Sequence, residues 1–421
     1  MFCRATTIID GMTDRKTTAL LPLDEARRRM LDSVDVVVQA ETLALEDLNG
    51  RVLAADIVAP LDSPPADNSA MDGYALCLER GQEAREFAVV GKAMAGAPYT
   101  GSINPGQAIR IMTGAEVPSG ADRVVMQENA ECLDDRLVVA RLPERGANIR
   151  RAGEDISRGE QVLAAGQRLG PVDIGLLATL GLSEASVWRP LSVALFASGD
   201  ELRPPGSSLG PGQIYDSNRY FLRAMLERLG CRVIDLGVVA DDPGSLRRTY
   251  QQAALEAQAV ISCGGASVGE ADYAQALLAE LGQVDFWKVA IKPGKPFIFG
   301  RLGAATFFGL PGNPVSALVT CHQLALPVLE KMQGARATEP LTFSARTTVA
   351  IRRNRQRLDF QRAVYRPHDQ GGFEVTPDRQ QSSGALSSFG RCNCFMLLEA
   401  GDRDVSAGDA VPILPFDRWV R

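Results

Sequence analysis

The sequence predicts a multidomain protein of the α/β plus β class, built around a three-layer sheet with mostly parallel strands. The length of 421 residues exceeds what one hydrophobic core accommodates, so about three domains are expected. Apolar runs alternate with helical patterns from about Ser186 to Gln333, which is typical of parallel α/β sheets. Around that segment the apolar period is two, which indicates β-rich lobes before it and a small all-β domain after it.

Composition and charge exclude several classes of function. Hydrophobic residues make up 45% of the chain and charged residues 23%, which argues against intrinsic disorder. The formal net charge of −6 does not suit a nucleic-acid binder, which needs a dominant basic face. No apolar run approaches the roughly 20 residues that span a bilayer, and residues 1–20, read as a flexible N-terminus, lack the apolar core of a signal peptide. We therefore expect a cytoplasmic protein that binds neither nucleic acid nor membrane.

The inventory of reactive side chains narrows the chemistry. Two histidines make a Ser-His-Asp triad or a histidine-rich zinc site improbable. Eight cysteines without a C-x-x-C pair indicate reduced, mostly buried thiols. Chemistry must then rest on carboxylates, lysines, backbone amides or a metal held by oxygen.

The N-terminal part predicts one helix followed by short strands. In PLDEARRRMLDSV, Ala26, Met30 and Val34 have the spacing of one buried helical face. From Glu41 to Gly170, β-type runs such as EFAVVGKAMAG and GQAIRIMTG are broken by Gly and Pro. This texture predicts a β-rich region with more than one lobe.

The central segment carries the clearest periodicity. The apolar run LSVALFA precedes the helical pattern SNRYFLRAMLERLG, which stops at Gly230. After the strand CRVIDLGVV, a second helix begins with Asp242 as its N-cap and Pro243 in its first turn. QAVISC and TFFGL predict further strands, and ADYAQALLAELG and NPVSALVTCHQLALPVLEKM predict a third helix and one long closing helix.

Four strand ends of this segment carry unusual loops, and ligands of parallel sheets bind at that edge. The loops are SGDEL from Ser198, Asp241 with Asp242, CGGASVGEADY from Cys263, and GLPGNPVSA from Gly309. Glycines there allow close backbone approach, and amides at helix starts can hold an anion. Ordinary turn chemistry explains each loop taken alone.

Together the loops bring Glu201, Asp241 and Asp272 to one predicted crevice. Two unscreened carboxylates about 4 Å apart repel by about 4 kcal/mol at an effective dielectric constant near 20, and a cation removes that cost. Oxygen ligands beside a phosphate favour Mg²⁺. The sequence therefore predicts a magnesium site beside an anion site.

A lysine cluster lies between the third and fourth loops, in WKVAIKPGKPF. On a single strand Lys288 and Lys292 share a face, and the two prolines stiffen the segment that presents Lys295. A solvated edge strand protected by lysine and proline explains the same pattern. We prefer an anion clamp because the chain as a whole is acidic.

The absence of a Walker loop argues against an ordinary ATP hydrolase.

Two polar segments of the N-terminal part, PPADNSAMDGYAL and ANIRRAGEDI, are too polar for core strands. Spacing alone favours turns with local side-chain hydrogen bonds and a surface ion pair.

Eight motifs taken together resemble the MoeA family. DNSAMDGYA, IRIMTGA, NIRRAGEDI, SGDEL, IYDSN, GGASVGEADY, IKPGKP and GLPGNPVSA occur in the order and approximate spacing of the molybdopterin molybdenumtransferases, whose animal counterpart is the gephyrin E domain. The match runs from about Leu21 to the C-terminus. The resemblance implies an elongated homodimer with four domains per chain. Their expected bounds are 21–58 with 148–185 for an N-terminal linker domain, 59–147 for a β-rich lobe, 186–333 for a MogA-like molybdopterin-binding domain, and 334–421 for a small β-barrel.

The resemblance also implies a reaction and partners. Adenylylated molybdopterin and molybdate would react with Mg²⁺ to give molybdenum cofactor and AMP, with a MogA-like adenylyltransferase as a further partner. A MogA-like adenylyltransferase activity and a non-catalytic molybdopterin-binding scaffold stay open as alternatives.

Site residues follow from the matching motifs. The catalytic residues implied are Asp72, Thr113, Asp155, Glu201, Asp241 and Asp272. Of these, Glu201, Asp241 and Asp272 would hold the metal, while Asp72 and Thr113 would reach the crevice from the other protomer. The substrate-binding residues implied are Gly264, Gly265, Ser267, Gly269, Lys288, Lys292, Lys295, Pro311, Gly312, Pro314, Ser316, Arg357, Arg362 and Ser388. Ala266 replaces the family's usual valine, and we expect no loss of activity from that change.

Overall fold

The computed structural model describes residues 20–79, 84–264, 271–337, 339–401, 403–417 and 419–420, with the side chains of 271–275 and 287 outside the description. The chain divides into two compact units. The main unit comprises Met1–Gln39 and Arg189–Arg421, and the inserted unit comprises Ala40–Trp188. In the described part of the chain, no helix has the length and apolar character needed to cross a bilayer.

Helix α1 (Leu23–Asp32) belongs to the main unit. Its predicted face is buried, since Ala26 and Met30 are fully enclosed and Val34 is nearly so. These side chains join the core that covers one face of the α/β sheet. The expected bounds of the four domains stay a prediction; in the division into two compact units, the chain up to Gln39 belongs to the main unit.

The inserted unit is β-rich, as predicted. Its strands and helix are β1 (Ala40–Ala44), β2 (Ile57–Val58), β3 (Asn68–Ser69), β4 (Gly73–Leu76), β5 (Glu86–Ala93), β6 (Gln107–Ile111), β7 (Arg123–Met126), β8 (Ala130–Leu133), β9 (Arg136–Val139), β10 (Ile149–Arg150), β11 (Gln161–Leu163), α2 (Pro171–Thr179) and β12 (Glu184–Trp188). A six-stranded sheet has the order β7-β4-β6-β5-β9-β8. Short antiparallel pairs join β1 to β12, β2 to β11 and β3 to β10. Gly73 is required in β4, because a Cβ there would lie 1.8 Å from the Val125 carbonyl oxygen.

The central part of the main unit alternates strands and helices. Its elements are β13 (Ser192–Ser198), β14 (Leu202–Arg203), β15 (Ile214–Tyr215), α3 (Asn218–Arg228), β16 (Arg232–Val239), α4 (Pro243–Glu256), β17 (Ala259–Cys263), α5 (Ala271–Leu281), β18 (Gly282–Lys288), β19 (Ile291–Lys292), β20 (Pro296–Leu302), β21 (Ala305–Leu310), α6 (Pro314–Thr320) and α7 (Leu326–Met332). The sheet order is β16-β13-β17-β21-β20-β18. The first four strands are parallel, and β20 is antiparallel to both neighbours. The predicted mostly parallel sheet is confirmed.

Side chains that alternate along β13 pack into opposite layers. Val193 and Leu195 join the cluster that contains apolar residues of α3 and α7. Ala194 and Phe196 join the cluster formed with α4 and α5. Because helices cover both faces, β13 is buried along its whole length, as parallel strands usually are.

The closing helix differs from the single long helix that we predicted. A π-helical segment, Cys321–Ala325, separates α6 from α7. Pro327 lies in the first turn of α7, has no N–H to donate, and disrupts regular α-helical bonding around it. The Gln323 carbonyl, four residues before this proline, instead accepts from Arg27 Nε at 3.2 Å.

The C-terminal part of the main unit is a small closed barrel, as the resemblance implied. Its elements are β22 (Phe343–Thr347), β23 (Leu358–Pro367), β24 (Phe373–Pro377), α8 (Ser388–Arg391), β25 (Cys394–Leu398) and β26 (Ala410–Pro415). The order β23-β24-β22-β26-β25 closes because β25 also pairs with β23. Strand β19 from the central part adds to β23 in parallel. The barrel is thereby tied to the segment that carries the predicted lysines.

Candidate functional site

The loops that follow β13, β17 and β21 meet at one edge of the sheet. The Gly264 amide donates to the Leu310 carbonyl at 3.2 Å. Gly264 has a φ of +101°, and a Cβ there would lie 2.3 Å from the Ser198 carbonyl oxygen. A Cβ on Gly312 would be 3.8 Å from the Gly264 Cα. Glycine is therefore required at 264, where three backbone segments approach closely.

The loop after β16 joins the same edge. The Asp241 amide donates to the Asp200 carboxylate at 3.3 Å. Asp242 caps α4 as predicted, because its side chain accepts from the Ser245 amide at 2.9 Å. The structure thus brings together the described residues of the predicted strand-end loops, while residues 265–270 of the third loop lie outside the description.

Asn218 holds two of these loops from the start of α3. Its buried Nδ2 donates to the Gly312 carbonyl at 2.6 Å and to Cys263 Sγ at 3.1 Å. Burial raises the pKa of the Cys263 thiol to about 12, so this thiol is neutral at physiological pH. Sequence reasoning quoted IYDSN but gave Asn218 no role. The missed signal is a polar side chain on the first turn of an otherwise apolar helix face.

Asn218→Leu is expected to lower the free energy of unfolding by about 1–3 kcal/mol, because it leaves the Gly312 carbonyl without its donor. Urea denaturation of both proteins measures the change. Asn354→Leu is the matched control, since Asn354 accepts from the amides of Gln356 and Arg357 within its own loop instead of holding separate loops together. Equal losses in the two variants would contradict the assignment.

The predicted metal carboxylates stay a prediction. Glu201 is exposed and Asp241 is partly exposed. In the described part of the chain, no group of three or more His, Cys, Asp or Glu side chains is placed to hold a metal ion. The Asp272 side chain lies outside the described residues, as do Gly265, Ser267 and Gly269.

The prediction that one strand presents Lys288 and Lys292 was wrong. Lys288 is the last residue of β18, whereas Lys292 lies on β19 in the barrel sheet. The chain reverses direction between Val289 and Lys295, whose amide and carbonyl form a hydrogen bond of 3.1 Å. Lys288 and Lys295 are exposed, and Lys292 is partly exposed.

Lys292 makes an ion pair that sequence reasoning missed. Its Nζ donates to Asp359 Oδ2 at 2.9 Å. The two residues are direct partners in the pairing of β19 with β23. Asp359 lies in the stretch RLDFQRA, between the predicted substrate-binding residues Arg357 and Arg362. An acid between apolar neighbours on a predicted barrel strand was the available signal.

Arg362 and Ser388 are buried and bonded to each other. Arg362 Nε donates to Ser388 Oγ at 3.1 Å, and the same guanidinium donates to the Gln380 and Ser382 carbonyls at 2.8 and 3.0 Å. These contacts hold residues 380–388 against β23. Among the three predicted substrate-binding residues of the barrel, Arg362 and Ser388 are buried and Arg357 is partly exposed.

The GLPGNPVSA loop is fixed at both ends and exposed at its tip. Pro311 and Ser316 are buried, Pro314 is partly exposed, and Gly312 is exposed. The Val315 amide donates to the Ser383 carbonyl at 2.9 Å, which joins this loop to the segment that Arg362 holds.

In the inserted unit the structure pairs two predicted residues. The amide and the hydroxyl of Thr113 both donate to Asp72 Oδ1, each at 2.7 Å. These bonds, the amide bond first, hold the pKa of Asp72 below its usual range. The carboxylate therefore stays ionised at neutral pH.

The prediction of turns for the two polar segments was wrong in part, because Ile149 and Arg150 of NIRRAGEDI form β10, which pairs with β3 of the other segment. Turns follow β10, and the ion pair of this segment joins the two segments. Arg151 pairs with Asp67 of the other polar segment, while its amide donates to Glu154 Oε2 at 2.8 Å. Asp155 is exposed, and its amide donates to the Ser63 carbonyl at 3.0 Å.

Family models match most of the chain. The MoeA N-terminal region (domain I and II) matches residues 21–181. The probable molybdopterin binding domain matches 194–331, and the MoeA C-terminal region (domain IV) matches 344–416.

Individual proteins match over nearly the whole length. A molybdopterin molybdenumtransferase of Haemophilus influenzae is 45% identical over 400 residues, which cover 94% of this chain and 99% of that protein. A Nostoc protein of the same name is 35% identical, with 91% of each chain covered. The crystal structure of the molybdopterin biosynthesis protein moeA from Pyrococcus horikoshii OT3 matches with a TM-score of 0.81 at 29% identity, and covers 94% of this chain and 100% of that one.

Proposed function

The chain belongs to the MoeA family of molybdopterin molybdenumtransferases, and we propose that it inserts molybdenum from molybdate into adenylylated molybdopterin with release of AMP. The observation that carries the proposal is the 45% identity to a molybdopterin molybdenumtransferase over 94% of this chain. Molybdenum insertion follows from the family. Release of AMP and the adenylylated form of the substrate are the proposed details.

The strand-end loops support the binding of a phosphorylated substrate. Gly264 lets the strand ends approach closely, and Gly312 is exposed at the tip of its loop, so a phosphate can approach main-chain amides there. Lys292 and Lys295 lie in sequence between these two loops, and they offer ammonium donors on the segment joined to the barrel. We propose that these groups hold the phosphates and the oxyanion while charge develops on the leaving AMP.

The carboxylate donors fit Mg²⁺. Glu201, Asp241 and Asp272 offer only oxygen atoms, and Mg²⁺ in proteins usually takes one or two carboxylates with ligand phosphates and water. Bound there, Mg²⁺ would polarise the phosphoanhydride. Glu201 and Asp241 follow neighbouring parallel strands, so both lie at the edge where the loops meet.

We propose that the chain supplies no covalent nucleophile. Cys263, the thiol beside the loops, is buried and protonated, and its hydrogen is directed to the Pro311 carbonyl. The protein's own contribution is then to bind, orient and stabilise charge.

We further propose a homodimer in which Asp72 and Thr113 of each copy serve the site of the other copy. The pair supports this because its ionised carboxylate is partly exposed, with only one oxygen occupied by Thr113. Asp155, exposed in the same unit, is proposed as a further functional acid. The cytoplasmic location stays a prediction.

Mixing two inactive variants tests the shared site. If Asp72→Asn and Asp272→Asn each abolish turnover, co-refolding equal amounts is expected to restore about one quarter of wild-type activity, because half of the dimers then carry one intact site. Refolding each variant alone is the control. A mixture as inactive as its components would contradict a site shared between copies.

Substrate use separates the proposal from the adenylyltransferase alternative. The purified chain with Mg²⁺ is incubated either with free molybdopterin and ATP or with adenylylated molybdopterin and molybdate. Turnover of the second mixture alone supports the proposal. Consumption of ATP with free molybdopterin would favour the adenylyltransferase, and binding without turnover would favour the scaffold.

A further inference from the structure

The contact between Lys292 and Asp359 joins the α/β segment to the barrel. Asp359 is only 3% exposed, whereas the Lys292 side chain is 43% exposed. Lys292 Nζ reaches Asp359 Oδ2 at 2.9 Å. We infer that Asp359 is a positioning residue, which fixes the Lys292 ammonium for the oxyanion of the proposed reaction. This inference rests on the proposed function.

The geometry leaves Lys292 able to bind an anion. A lysine ammonium has three N–H donors, and Asp359 takes one of them. The remaining donors stay available because the side chain is partly exposed. Lysine is a flexible point charge, so a buried carboxylate at its tip restricts where that charge can lie.

Asp359 is itself held in place. Gln361, two residues along the same strand, donates from Nε2 to Asp359 Oδ2 at 3.2 Å. The backbone of Asp359 lies between Lys292 of β19 and Leu398 of β25 in the barrel sheet. After Lys292 the chain turns at Gly294, where a Cβ would lie 2.6 Å from Thr320 Cγ2. Both partners of the ion pair are therefore fixed by the fold.

Two effects oppose each other when Asp359 loses its charge. The free ammonium becomes more attractive to an anion in the ground state, because its counter-charge is gone. The same ammonium becomes less fixed, and stabilisation of the transition state depends on donors that are already in place. Loss of the Asp359 charge is therefore expected to lower kcat without raising KM for molybdate.

Steady-state kinetics of Asp359→Asn tests the inference. We expect kcat to fall about tenfold, with KM for molybdate unchanged or lower. Lys292→Gln is expected to raise KM for molybdate. The double variant is expected to be no slower than Lys292→Gln alone, because Asp359 acts through the lysine.

Asp417→Asn is the matched control. Asp417 follows the last barrel strand, β26, and its carboxylate pairs with the buried His322 of the π-helical segment at 2.8 Å. The Asp417→Asn variant therefore loses a carboxylate that also joins the central α/β part to the barrel, but that has no contact with Lys292. We expect wild-type kcat, with a lowered melting temperature.

The outcomes separate this inference from the proposed function. The positioning role is overturned if kcat of Asp359→Asn stays within about twofold of wild type, or if Asp417→Asn shows the same loss of kcat. In either case, turnover by the wild-type chain still supports the proposed function. A wild-type chain that releases no AMP overturns the proposed function, and the inference with it.

Discussion

Asp272→Asn is expected to abolish AMP release while the protein stays folded. Position 272 lies in the first turn of α5, the helix that follows β17 at the edge of the sheet where the loops meet. An amide keeps the shape of the side chain but lacks the charge that a magnesium ligand supplies. AMP release at saturating substrate should fall by about 100-fold or more.

Glu280→Gln is the matched control for that variant. Glu280 lies on the same helix and makes the same carboxylate-to-amide change, but it pairs with Arg247 on the protein surface. We expect turnover and circular dichroism of this variant to equal those of wild type. Near-normal turnover by Asp272→Asn would remove Asp272 from the site.

Gly264→Ala is expected to destabilise the protein and to inactivate it. The new methyl group would lie 2.3 Å from the Ser198 carbonyl oxygen, at a residue with a φ of +101°. Backbone strain and overpacking together should cost about 3 kcal/mol of unfolding free energy. The displaced loop would also close the space in which we place the phosphate, so the folded fraction should show no turnover.

Gly303→Ala separates the clash from the backbone strain. Gly303 has a φ of +58°, but a Cβ there would meet only the Ala254 Cβ at 3.9 Å. The variant should lose about 1 kcal/mol of unfolding free energy and keep full activity. Equal losses for both variants, measured by urea denaturation, would show that the close approach at Gly264 is unimportant.

Local chemistry made much of the fold predictable. The face of α1 followed from the spacing of Ala26 and Met30, and the start of α4 followed from Asp242 and Pro243. Both signals lie within short stretches of sequence, since capping and helical periodicity act over one or two helical turns. The alternation of strands and helices then left a parallel sheet as the natural arrangement.

Features that depend on distant partners were not predictable in this way. The π-helical segment within the closing helix exposes the Gln323 carbonyl to Arg27, almost 300 residues earlier in the chain. Lys288 and Lys292 separated onto two sheets because β19 finds its partner in the barrel strand β23. The alternation of side chains along a strand does not show to which sheet that strand pairs.

The candidate site was predicted unevenly for the same reason. Motifs supplied the family and drew attention to Asp72 and Thr113, which lie far apart in sequence and share hydrogen bonds in the structure. Asn218 and Asp359 were missed, because their roles consist of contacts with Gly312 and Lys292 across the fold. Arg362 and Ser388 were selected as substrate contacts, and the structure shows each as the other's partner.

Product stoichiometry tests the central claim most directly. The purified chain is mixed with adenylylated molybdopterin and Mg²⁺, and AMP and molybdenum cofactor are measured with and without molybdate. We predict that AMP and cofactor form in equal amounts, and only when molybdate is present. AMP release without cofactor formation, or no AMP release with molybdate present, would contradict molybdenum insertion coupled to cleavage of the adenylylated substrate.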